Sequence, residues 1–299
     1  MDIKNLKVFA AVADGNSLSS VAESMGLTKS AVSHILSNIE REIGTELIIR
    51  NPRFSRLTEC GLEFLCAAKE TIAAYESGIE QINYIKGSAT GSLRIGVGSF
   101  IEPFLRKACA KLLKENPSLT LEAHVYRANT LNQLLKSGKI DIAFTLNKAY
   151  DGEGIISEPC IPIRIMAIMS RWHKLAACNK ISFDELCKYD CIMPSEDKRS
   201  LDTVGNVIGK DVSMLRRKIS INDADAALNM VEEENYITFS TRQHIQNRPN
   251  LVARQIEGLE SDIMSNMHYL ADVHLKRSAV LLKEALTDYA IPLLHMMDV

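Results

Sequence analysis

The chain contains no run of about 18 or more apolar residues, so no segment is long enough to cross a bilayer as a helix. Its N-terminus, MDIKNLKVFAAVADGNS, lacks the basic stretch, long apolar core and small-residue cleavage site of a secretory leader. Charge of one sign is also missing. Against 35 Lys and Arg stand 37 Asp and Glu, a formal net charge of -2, which offers nucleic acid no global basic field. Any such signal must be local. The seven cysteines (positions 60, 66, 109, 160, 178, 187 and 191) are odd in number and scattered through apolar contexts, as expected of reduced thiols. A cytoplasmic protein with no membrane partner is expected. The seven histidines form no HExxH and the cysteines no CxxC, so neither a metal nor a cofactor is expected. P-loop, GxGxxG and GxSxG patterns are absent too, and with no catalytic constellation to name, an enzyme is not expected.

What is present is an ordinary globular composition, 46% apolar and 24% charged, in 299 residues that suffice for two or three domains. Leu6, Phe9, Ala10 and Ala13 recur at helical spacing over residues 3–14. Asp14-Gly15-Asn16 breaks that helix, and Ser17 or Ser19 can cap a second, which turns Val21, Ala22 and Met25 inward. Gly26 makes a tight turn. Thr28 then caps a third helix ending near Ile43, with Gly44 in the left-handed position beyond it. Helix, short glycine turn, helix is a helix-turn-helix layout. On the third helix, Val32, Ile35, Leu36, Ile39 and Ile43 fall within an arc of roughly 100°, while Lys29, Ser30, Ser33, His34, Ser37 and Arg41 fill a separate arc of roughly 140°. An ordinary solvated face would carry more Lys and Glu. Short hydroxyls instead allow close approach to phosphates, and serine and lysine can also bond base edges in a major groove.

Two features strengthen a DNA reading. In ELIIRNPRFSRLTECG (46–61) a short apolar strand, an Asn-Pro turn and Arg50, Arg53 and Arg56 suggest a β-hairpin wing able to reach phosphates or the minor groove. Thr58 then caps a long helix, with Gly61 tolerated in its first turn. Leu62, Leu65, Ala68, Ile72, Tyr75, Ile79, Ile82 and Ile85 step by three or four residues, a seam best buried by dimerisation, although packing on the C-terminal part of the chain is the alternative. A dimer would present two recognition helices about one turn of DNA apart, or a multiple of it.

KGSATGS (86–92) marks a boundary, after which strands and helices alternate. Strands are expected at 93–98, 119–126, 140–146, 161–169, 189–194, 218–222, 236–240, 251–256 and 264–270. Helices are expected near 102–114, 129–138, 182–188, 200–209, 223–234 and 274–290. The βαβαβ start implies a parallel sheet with right-handed crossovers. The whole reads as two α/β lobes with a ligand cleft at the carboxyl ends of the strands. The fold class is therefore α/β with a helix-rich winged helix-turn-helix head (1–58), a linker and dimerisation helix with hinge (59–87) and a bilobed, periplasmic-binding-protein-like effector domain (88–299). Lobe I is placed at about 88–160 and 266–299, lobe II at about 161–265.

The head segment from LKVFAAVADGNSLSSVAESMGLTKSAVSHILSNIEREIGTELIIRN through RLTECG resembles the LysR-type transcriptional regulators, and the order of segments along the whole chain is similar to that family. The resemblance implies a transcription factor that binds double-stranded promoter DNA, assembles as dimers and often tetramers, and reads a small-molecule inducer. It places Thr28, Lys29, Ser30, Ser33 and His34 at the start of the recognition helix and Arg50, Arg53 and Arg56 on the wing, and the polar arc adds Ser37 as a DNA-binding candidate. Family members commonly carry proline where this chain has Ser30 and arginine where it has His34. For the effector, the resemblance implies Ser99, Phe100, Asn129, Thr130, Thr145, Ser195, Asn222 and Asp223, at strand ends and helix N-termini that suit a small anion, although helix capping explains any one of them equally well. VEEENYITF (231–239) also departs from the family, which usually has a glycine turn there. A small-molecule binding module whose head serves only assembly is the alternative function.

Overall fold

The computed structural model describes residues 1–50, 55–85, 90–146, 154–194, 210–221, 223–259, 262–273 and 275–295. The helix expected at 200–209 and residues 86–89 of the hinge lie outside them. The chain divides into two compact units, Met1–Gly87 with Asp272–Leu275, and Ser88–Ala271 with Lys276–Val299.

The first unit begins with α1 (Ile3–Ala13), α2 (Leu18–Ser24) and α3 (Lys29–Ile43). Each starts on a side chain that accepts a backbone N–H: Asp2 from Asn5, Ser17 from Ser20 and Thr28 from Ala31. Gly26 has φ 62°, a left-handed turn that glycine adopts without steric cost. The core joins Leu6, Val8, Phe9, Val12, Val21, Val32, Leu36 and Ile39. Val8 and Val12 widen the α1 stripe beyond its expected residues, while Ile43 corrects the wheel: it is 38% exposed, because α3 ends there and its last turn runs past the core.

The wing follows as β1 (Ile48–Arg50) and β2 (Ser55–Leu57), antiparallel with Ile49 opposite Arg56. Then α4 (Glu59–Ile85) runs for 27 residues, started by Thr58, whose Oγ1 accepts from the Gly61 N–H at 2.9 Å. Gly61 is required, not merely tolerated. A Cβ there would lie 2.1 Å from the Leu47 carbonyl oxygen, so the helix can cross the wing's entry only at a residue without one. The apolar stripe of α4 has two fates. Leu65, Ala68 and Ile72 pack on the head core, whereas Tyr75, Ile79 and Ile82 are 52%, 43% and 50% exposed. Leu62, expected on the seam, is 56% exposed and lies off this stripe.

The second unit opens with β3 (Gly91–Val97), α5 (Glu102–Glu115), β4 (Leu119–Val125), α6 (Ala128–Lys136) and β5 (Ile142–Thr145). Next come β6 (Ile155–Ile163), β7 (Met166–Ser170), β8 (Lys180–Ile181), α7 (Phe183–Leu186), β9 (Asp190–Pro194) and β10 (Arg216–Ile221). The unit closes with α8 (Ala224–Glu233), β11 (Ile237–Ser240), β12 (Leu251–Ile256), β13 (Ile263–Leu270) and α9 (Arg277–His295). One sheet has the order β4-β3-β5-β13-β6 and the other β10-β9-β11-β7-β12-β8. β3 is parallel to β4 and β5, as the βαβαβ grammar requires, and β13 returns antiparallel to β5 and β6.

The expected strand at 161–169 is two strands in different sheets. The break falls at Arg164 and Ile165, where Arg164 donates to Asp262 (2.8 Å) beside the returning strand. The chain thus leaves the first sheet after Ile163 and re-enters it at Ile263, a few residues from the boundaries at 161 and 265. Residues 155–160 form strand that no sequence signal announced. β6 is an edge strand, so Pro159 and Pro162 interrupt no ladder on its open side.

Candidate nucleic-acid interface and effector cleft

The exposed face of α3 carries Lys29, Ser30, His34, Ser37 and Arg41, with Ser33 half-buried beside them. Thr28 Oγ1 and Ser30 Oγ are 2.9 Å apart, so the two hydroxyls at the helix start hold each other as well as the cap. Farther along, Asn38 Nδ2 lies 3.1 Å from His34 Nδ1, and Arg41 Nη2 donates to Asn38 Oδ1 at 2.8 Å. The wing is tied to this helix by Glu40, whose Oε1 accepts the Leu47 and Ile48 N–H groups at 3.0 and 3.1 Å. Arg56 is exposed on β2. The side chain of Arg50 and the whole of Arg53 lie outside the described residues. The start of β1 is thus anchored to α3.

The cleft of the second unit is lined by Ser99 and Phe100 after β3, Val125 at the end of β4 with Tyr126 and Arg127 after it, and Ile221 at the end of β10. Asp223, Ala224, Ala227 and Leu228 of the α8 start, Thr238, Phe239 and Ser240 of β11, and His244 complete it. These positions are carboxyl ends of strands in both sheets, where open α/β sheets place ligands. The cavity volume is about 80 Å³, room for several waters or a small solute.

Of the expected effector residues, Ser99, Phe100 and Asp223 line this cleft. Asp223 is occupied as a cap, its Oδ1 accepting from the Ala226 N–H at 2.9 Å. Thr130 is half-buried in the first turn of α6 and is not among the lining residues. Thr145 is also elsewhere: it is 3% exposed, and its Oγ1 lies 2.8 Å from His268 Nε2, whose Nδ1 meets Ser157 Oγ at 2.7 Å. The reason is its place on β5 beside β13, which turns its hydroxyl into the sheet's buried polar network. Ser195, Asn222 and the side chain of Asn129 lie outside the described residues. The three glutamates of VEEENYITF sit at the end of α8, where Glu232 accepts from Asn250 (2.9 Å) and lies 3.6 Å from Arg248.

Sequence reasoning missed Tyr126, Arg127, Phe239, Ser240 and His244. Their signal was available, since all follow or end strands facing the same cleft. His244 Nδ1 lies 2.6 Å from Ser240 Oγ, and its Nε2 is 3.8 Å from Glu102 Oε2. Burial pushes this imidazole down to about 4, so at neutral pH it is uncharged and the Glu102 contact is not an ion pair. Burial also raises the Glu102 carboxyl.

All seven cysteines are free. Burial pushes the Cys191 and Cys160 thiols to about 12 and Cys109 to about 11, away from the reactive thiolate. Cys60, Cys66 and Cys178 are exposed. Among the described residues no group of three or more His, Cys, Asp and Glu could hold a metal. No described helix is long and apolar enough to cross a membrane.

An anchored helix-turn-helix and wing, followed by a two-sheet α/β unit with a cleft at its strand ends, define the class as a helix-turn-helix protein with a separate α/β domain. Residues 3–62 match the bacterial regulatory helix-turn-helix proteins of the lysR family, and residues 86–290 match the LysR substrate binding domain. The chain belongs to the LysR family of transcriptional regulators. It is similar to the transcriptional regulator PecT of Dickeya dadantii, 29% identical over 153 residues that cover 50% of this chain and 48% of PecT. It is also similar to YvbU, an uncharacterized HTH-type transcriptional regulator of Bacillus subtilis, 31% identical over 49% of this chain and 51% of YvbU. The chain spans about half the length of these curated relatives. Among solved structures, full-length OxyR of Pseudomonas aeruginosa superposes with a TM-score of 0.75 at 15% identity, covering 98% of this chain and 97% of that one. Full-length CbnR, solved with its target DNA, superposes with a TM-score of 0.62 at 15% identity, covering 97% of this chain and 100% of that one. These likenesses establish the fold.

Proposed function

We propose that this protein is a cytoplasmic, sequence-specific regulator of transcription, without catalytic activity, that binds double-stranded promoter DNA as a dimer or tetramer and senses a small molecule in its second unit. The observation that carries the reading is the α3 surface, a face of small hydroxyl side chains with Lys29 and His34, held to a basic wing through Glu40. In this reading Thr28, Lys29, Ser30, Ser33, His34 and Ser37 face the major groove, and Arg50, Arg53 and Arg56 meet phosphates or the minor groove. Segments 1–58, 59–87 and 88–299 act as head, linker and sensor. The exposed Tyr75, Ile79 and Ile82 of α4 are the self-association stripe.

The cleft suits a small solute with an apolar body, given Phe100, Tyr126, Leu228 and Phe239, and with one anionic end near Arg127. That end has one favoured position. The α8 N-terminus is already capped by Asp223, whereas α6, which begins beside Arg127, has no side-chain cap.

The test is binding of the full chain to promoter fragments with excess competitor DNA. Lys29→Ala should relax base choice, while Arg53→Ala should weaken all sequences and reduce the salt slope by about 1. Purely salt-driven, sequence-indifferent binding would refute the reading. Filling the cleft with Ser99→Trp should abolish effector response and leave DNA binding intact.

A further inference from the structure

His34, Asn38 and Arg41 follow one another along the surface of α3 at i, i+4 and i+7, linked by two hydrogen bonds. The direction of this chain is forced by the chemistry of its members. A guanidinium only donates, so the Asn38 amide oxygen must face Arg41. The Asn38 NH2 then faces the imidazole, and an NH2 also only donates. Nδ1 of His34 is therefore the acceptor, and the ring hydrogen sits on Nε2. Arg41 in turn stands in the last turn of α3, where the helix dipole favours a cation.

We propose that His34 reads guanine in the major groove through its Nε2–H, with Asn38 and Arg41 as positioning residues that set its tautomer. The inference rests on α3 being the helix that enters the groove, and it adds the base and the atom. Guanine is the base because its groove edge offers two adjacent acceptors, N7 and O6, and no donor. Adenine pairs its one acceptor with the N6 donor, the thymine acceptor adjoins a methyl group, and cytosine presents a donor. The opposite tautomer would present a bare acceptor and match adenine N6 or cytosine N4 instead. A relay that never touches DNA thus chooses between two classes of base. It also gives the histidine a definite role as a single directional donor rather than a charged fork.

Two measurements on the full chain separate this inference from the reading beneath it. The first needs no DNA. Long-range 1H–15N spectra of 15N-histidine-labelled protein at pH 8 should show the His34 hydrogen on Nε2. In Asn38→Asp the introduced carboxylate can only accept, so the hydrogen should move to Nδ1. The same tautomer in both proteins overturns the relay. The second is selection from random duplexes. The wild type should enrich guanine at one position per half-site, a preference of roughly 3- to 10-fold for one hydrogen bond. His34→Ala should lose it, and Asn38→Asp should redirect it toward adenine or cytosine. An unchanged guanine preference in His34→Ala overturns the base assignment while leaving the DNA-binding reading intact. If the wild type enriches no sequence, that reading fails and the inference with it. His34 is exposed and Asn38 half-buried, both outside the apolar core, so loss of fold does not confuse either result.

Discussion

Replacing Glu40 by alanine should release the wing from the recognition helix without unfolding the head. Glu40 Oε1 accepts two backbone N–H groups, from Leu47 and Ile48, at the point where the chain enters β1. Both residues bury their side chains, Leu47 to 1% and Ile48 to 4% exposure, so the entry stays packed while its amides lose their acceptor. A buried donor left without a partner costs about 1–3 kcal/mol. Here the amides are only partly buried and water can reach them, which puts the pair near the low end, about 2 kcal/mol in total. That corresponds to roughly a 30-fold rise in local opening. Native-state hydrogen exchange at Leu47 and Ile48 reads this directly. Glu40→Gln keeps an acceptor oxygen but loses the charge, so its exchange should fall between wild type and Glu40→Ala. With the wing unmoored, Glu40→Ala should also bind all DNA sequences more weakly. Unchanged exchange at both amides in Glu40→Ala would refute the argument that this carboxylate holds the wing.

Gly61→Ala should destabilise the head by about 1–3 kcal/mol, because the added methyl meets a backbone oxygen that cannot turn aside; an unshifted thermal transition would contradict it. Ile79→Glu should convert the proposed oligomer to monomers in sedimentation while circular dichroism stays unchanged, since Ile79 is 43% exposed on the α4 stripe. Burial holds His244 and His268 at about 4, below the 6.5 of an unfolded histidine. The unfolded chain therefore takes up these protons first, so the stability of the second unit should be constant above about pH 6.5 and fall as pH drops toward 4. His268→Gln should flatten that fall in pH-dependent unfolding, and an identical profile would rule His268 out as a source.

Much of the head was legible because its signals are local. Ser17 and Thr28 cap the next helix turn, Gly44 closes α3, and the core stripe of α3 repeats every three or four residues. The same wheel misplaced Ile43, since periodicity assigns a direction to a side chain but not whether anything lies there to cover it. Gly61 looked incidental for a similar reason. Its need arises from the Leu47 carbonyl, 14 residues earlier in the chain and adjacent only after folding.

In the second unit, alternation announced most strands and the carboxyl-end rule announced where a cleft would form. It did not announce the cleft's lining. Ser99 and Phe100 were found because they follow a strand within three residues, while His244 reaches the cleft from a turn after β11, and Thr145 is withdrawn into a network with His268 on β13, which is distant only in sequence. The sequence by itself determined the helix-turn-helix, the polar face of α3, the long linker helix and the α/β alternation, since capping, periodicity and turn chemistry act over a few residues. Tertiary structure alone decided which half of the α4 stripe is covered, how Glu40 holds the wing and which hydroxyls reach the cleft. Each of these depends on the position of an atom supplied by another turn or another element, and composition and spacing carry no such coordinate.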